Sequence, residues 1–63
     1  MRIILDLPAD QAMALAQMCK RICFDPHIVS LSNPHDGGAE ADAMNQGLMS
    51  LQNALAQAGV APR

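Results

Sequence analysis

Residues 41–59 run ADAMNQGLMSLQNALAQAG. Within them Ala41, Met44, Leu48, Leu51, Leu55 and Ala58 follow one another at steps of 3, 4, 3, 4 and 3. Side chains at that spacing share one face of an α-helix, because alternating steps of three and four keep returning to the same line of a 3.6-residue turn. The seam is narrow, of the kind two helices bury between them. Gly59 stands at its end, where a C-terminal cap favours a left-handed backbone and hence glycine. The spacing predicts a helix over about 39–58. Glu40 and Asp42 fall in its first turn, where the helix dipole favours negative charge. Beside the seam runs a row of small residues, Ala43, Gly47, Ser50 and Ala54, which would let another element approach closely. Gly47 in mid-helix otherwise costs about 1 kcal/mol relative to alanine. A merely alanine-rich helix is the plainer account of the same row.

Upstream of this helix the chain is broken by two prolines. Asp25-Pro26 and Asn33-Pro34 stop helices, since a residue before proline is pushed out of the α region. They place a connecting loop at 24–38, closed by Asp36-Gly37-Gly38, with Ile28, Val29 and Leu31 favouring a short strand over 27–32. Ahead of the loop, Ala12, Leu15, Ala16, Cys19, Ile22 and Cys23 recur at helical spacing, opposite Asp10, Gln11, Gln17 and Arg21. A helix is therefore expected over about 8–23, with Pro8 in its first turn, where a missing N–H costs nothing. Met13 and Met18 flank its apolar face and make it wider than one partner helix requires. The run Ile3-Ile4-Leu5, ended by Asp6-Leu7-Pro8, predicts a strand over about 2–7, and 59–63 reads as a tail. The expected fold is mainly α: one small domain over 1–63, a short N-terminal strand followed by two helices.

A chain of 63 residues is near the size at which a monomer buries only about 60% of its unfolded surface. Phe24 is its only aromatic residue, so the core lacks the side chains that bury most area each. We therefore expect the chain to complete its core by self-association, as a homodimer or higher oligomer. Ile4, Met44, Leu48, Leu51 and Leu55 are the candidate self-association surface. Net charge is −2, and Arg2, Lys20, Arg21 and Arg63 are too few and scattered to form an electrostatic footprint for nucleic acid. No apolar run approaches the length of a membrane span. The N-terminus lacks the apolar core of a signal peptide, so a cytoplasmic location with reduced cysteines is expected.

Strand, helix, helix in this order resembles the ribbon–helix–helix family, on the residues Ile3-Ile4-Leu5-Asp6-Leu7-Pro8-Ala9-Asp10. That resemblance implies an intertwined homodimer with paired N-terminal strands and DNA read from the outer strand face. If Ile3, Leu5 and Leu7 face the core, the outward set is Arg2, Ile4 and Asp6. Apolar Ile4 and anionic Asp6 suit neither base edges nor phosphates. The loop between the helices is also far longer than that family's turn. A second resemblance rests on Ile4-Leu5-Asp6-Leu7, Gln11-Ala12, Ala14-Leu15-Ala16-Gln17 and Lys20-Arg21, together with the ending LQNALAQAGVAPR over 51–63. These segments are similar to small uncharacterised phage and prophage proteins with no assigned activity. That likeness implies a phage accessory setting, in which very small acidic proteins act by binding a host protein. Inhibitors of bacterial immunity, anti-CRISPR proteins among them, are one such class.

Three constellations bear on chemistry. Cys19, Cys23, His27 and His35 have the ligand types of a zinc site, but their spacing lacks the tight knuckle and the histidine pair of familiar fingers. Both cysteines also fall where the helix pattern wants small apolar residues, so core packing competes with metal binding. His35-Asp36, and His27 near Asp25, have acid–base character, with Ser30 and Ser32 close by but no nucleophile elbow. Gly37-Gly38 ahead of a helix would offer N–H groups to an anion, which Glu40 and Asp42 would repel. We therefore expect a non-enzymatic protein without a cofactor, acting by protein–protein interaction, with Asp36, Glu40 and Asp42 as the candidate contact for a basic host protein. The alternatives are a ribbon–helix–helix DNA-binding regulator and a small zinc module built on Cys19, Cys23, His27 and His35.

Overall fold

A computed structural model describes residues 1–60, and among them are three helices and no strand. Helix α1 spans Ala9–Ile22, α2 spans Pro26–Leu31 and α3 spans Ala39–Gln57. The expected β-α-α order is therefore overturned, and the ribbon–helix–helix arrangement with it. Residues 2–7 run without secondary structure instead of forming the expected strand. A strand needs a neighbour to take its N–H and C=O groups. The one other segment expected to be extended, 27–32, lies mostly in α2. The first backbone hydrogen bond along the described chain is from the Ala12 N–H to the Pro8 carbonyl, at 3.0 Å.

The short helix α2 corrects the expected loop at 24–38. Pro26 occupies its first turn, and the Asp25 carboxylate caps it by accepting the His27 N–H at 2.9 Å. A pair that ends one helix by forbidding the α region at Asp25 thus also begins the next. Between α1 and α2 the chain turns at Phe24, whose φ of 61° puts a non-glycine residue in the left-handed region. Its N–H donates to the side-chain oxygen of Asn45 in α3, at 2.8 Å.

Both ends of α3 are built from short-range bonds. At its start Asp36 spends both carboxylate oxygens on backbone donors, Oδ1 accepting the Gly38 N–H at 3.0 Å and Oδ2 the Glu40 N–H at 2.9 Å. At its end Gly59, with φ of 88°, lets the Val60 N–H reach back to the Leu55 carbonyl at 2.8 Å. That six-to-one bond is the Schellman closure, and Val60 packs back toward Leu55 as such closures favour. The rest of the expected tail, 61–63, lies outside the described residues.

The chain is thus a helical hairpin with one broken side. Helix α3 packs against α1 toward its C-terminal end and against α2 toward its start. The core is thin. Ala12, Ala16 and Leu55 form its centre, with Leu7, Leu15, Leu51 and Val60 packed around them. Cys19, Ile28 and Ala41 are also buried, and Cys19 is the largest side chain fully out of solvent. Small residues let the helices approach closely but bury little area each, and area sets the hydrophobic stabilisation.

Candidate interaction surface

The apolar residues that the core does not take up define the site. Ile3, Ile4 and Leu5 are 79%, 84% and 58% exposed on the N-terminal arm. The arm edges a groove of about 730 Å³ whose walls come from the start of α1, the C-terminal half of α3 and Val60. Ile3, Leu5 and Leu7 line it, while Ile4 does not. Asp6 lines it too, between Leu5 and Leu7. On the α3 wall, Gly47, Ser50 and Ala54 stand beside Leu51 and Leu55. A Cβ added at Gly47 would meet nothing within 4 Å, so this wall is open.

A second exposed apolar region lies at the other end of the hairpin. Phe24 is 66% exposed, and Val29 and Leu31 of α2 are also turned to solvent. The Asn45 hydrogen bond holds the strained Phe24 backbone in place, and Asn45 itself is the one buried polar residue among those described. The Cys23 thiol lies 3.8 Å from the Asn45 backbone carbonyl. Neither Phe24 nor Asn45 was a candidate from the sequence. The readable signal was an asparagine adjoining an otherwise apolar seam.

The residues expected to mediate self-association divide. Leu55 is core, Met44, Leu48 and Leu51 are half-buried, and Ile4 is free on the arm. The expected acidic contact divides too. Asp36 is tied up by the Gly38 and Glu40 N–H groups at the entry to α3, and Glu40 accepts the Asn33 N–H through Oε1 at 3.1 Å. Asp42 is exposed on the first turn of α3.

Cys19, Cys23, His27 and His35 are not brought together. Among the described residues no three or more His, Cys, Asp or Glu side chains converge on a point that could hold a metal ion. Cys19 is buried in α1, and that burial, with Cys23 one turn on, pushes its thiol pKa up. His27 Nδ1 lies 2.6 Å from Asp25 Oδ1. The His27 N–H, then its ring, hold the Asp25 carboxyl below its ordinary range. Ser30 and Ser32 donate their hydroxyls to the His27 and Val29 carbonyls, both at 2.7 Å. These groups serve the local turns of α2. Among the described residues no helix is long and apolar enough to cross a membrane.

No curated protein and no solved structure matches the chain. Residues 1–63 match in full a family of unknown function, DUF7706, and the chain belongs to that family.

Proposed function

We propose that this chain is a non-enzymatic accessory protein that works by burying apolar surface against another polypeptide. The observation that carries this reading is the arm. Three consecutive large aliphatic residues, Ile3, Ile4 and Leu5, stand in solvent at the edge of an apolar groove. A contiguous exposed apolar surface of this kind marks an interaction site more often than a neutral one. Phe24 adds an exposed aromatic at the far end, of the type that anchors protein interfaces. In the phage-type setting that the sequence resembles, the partner is a host protein, a component of bacterial immunity being one such target. Of Asp36, Glu40 and Asp42, Asp42 is left available to steer a basic partner.

Affinity purification of the tagged chain from its native host tests this, with wild type run beside Ile4→Ser and Phe24→Ser. Both side chains are mostly exposed, so the variants should fold. We expect wild type to retain a protein, a second copy included, that at least one variant loses. Recovery of the same proteins by all three forms, or of none by any, would sink the proposal.

A further inference from the structure

We propose that a second copy of this chain covers the groove between the N-terminal arm, α1 and α3. This rests on the interaction reading above and commits it to one occupant.

The surface area argues for a copy-sized contact. The chain exposes 4908 Å² at a mass of 6.7 kDa. A compact monomer of that mass exposes about 3,900 Å². The excess, about 1,000 Å², is close to the roughly 800 Å² that each partner buries in an interface of standard size. The shape agrees. The radius of gyration is 12.7 Å, where a compact chain of this length has about 10.6 Å.

Composition argues for self-contact in particular. Asp6 is the single ionisable residue lining the groove, so two identical faces can meet with little like-charge repulsion. In a two-fold contact the same patch appears on both sides, and each must supply both a hollow and something to fill it. This face supplies both. Its hollow is walled by Gly47, Ser50 and Ala54, and its protruding element is the arm, whose exposed Ile4 takes no part in lining its own groove. A two-helix hairpin has only one helical layer, and a second hairpin laid across it supplies the layer a helical domain requires.

Sedimentation equilibrium over a range of micromolar concentrations tests this, comparing wild type with Gly47→Glu. Gly47 is solvent-exposed with open space at its Cβ, and replacing a mid-helix glycine favours the helix, so the variant folds. Helicity by circular dichroism checks that it does. We expect wild type at twice the chain mass, and Gly47→Glu to associate more than about tenfold more weakly, since it puts a charged side chain into the hollow that the arm of the second copy fills. A wild-type dimer that Gly47→Glu leaves intact overturns the groove as its site. A wild-type chain that stays monomeric overturns the second copy as occupant. If that monomer still retains a host protein that Ile4→Ser loses, the interaction reading stands while this inference falls.

Discussion

At Phe24 a cost and a display coincide. A non-glycine residue in the left-handed region costs roughly 1 kcal/mol, and little of the phenyl ring is buried in return. What holds the turn is the hydrogen bond from its N–H to the buried Asn45 side chain of α3. Phe24→Gly relieves the strain and keeps the donor, so we expect unfolding in urea to show a stability unchanged or raised by up to about 1 kcal/mol. Asn45→Ala removes the acceptor and leaves the Phe24 N–H without its partner, which should lower stability by about 2 kcal/mol in the same assay. If Phe24→Gly is instead the more damaging change, the ring is packed rather than displayed. Asp25 gives a residue-scale prediction in pH. The His27 backbone and ring depress its pKa, so the cap on α2 is at full strength above the unfolded value of about 3.9. It is lost only as pH falls through the lower, folded value. A carboxyl-carbon NMR titration should place the Asp25 midpoint below about 3.9, with the His27 amide following the same curve; a midpoint at or above that value contradicts the cap.

Elements differ in how far their own residues specify them. Helix α3 was readable because its seam repeats over five steps and a glycine marks its end, and both signals are local. The spacing predicted 39–58, and the helix spans Ala39–Gln57. Helix α2 reads as extended because Ile28, Val29 and Leu31 favour that structure by propensity, whereas the Asp25-Pro26 pair specifies a helix start. Six residues carry too little periodicity to settle the matter, and the cap outweighed the propensity. The N-terminal arm failed as a strand for a different reason: no residue of its own could supply the missing neighbour. The acidic cluster at 36–42 was readable only as charge. Its geometry makes Asp36 structural, because both its oxygens hold the entry to α3. We therefore expect Asp36→Ala to destabilise the fold by about 1 kcal/mol by circular dichroism in urea. Asp42→Ala, at an exposed position, should stay within about 0.5 kcal/mol of wild type. Equal losses at the two positions would mean that the helix dipole, and not the cap, is what Asp36 serves.

For the molecule as a whole, stability and assembly are linked. Alanines dominate the buried centre and no leucine, isoleucine or phenylalanine is fully out of solvent, so an isolated hairpin has little apolar burial to set against its chain entropy. If the second copy supplies the missing cover, folding is bimolecular and its midpoint depends on concentration. The size of the dependence follows from general unfolding enthalpies. Two chains of this length absorb about 90 kcal/mol on unfolding together, an entropy of about 0.26 kcal/mol per kelvin near 60 °C. A tenfold rise in concentration adds about 1.4 kcal/mol to the free energy of the dimer. The midpoint of thermal unfolding should therefore rise by about 5 °C for each tenfold increase in protein. Gly47→Glu, which weakens that association by more than about tenfold, should melt more than about 5 °C below wild type at the same concentration. A wild-type midpoint that does not move with concentration means that the alanine-lined hairpin folds alone.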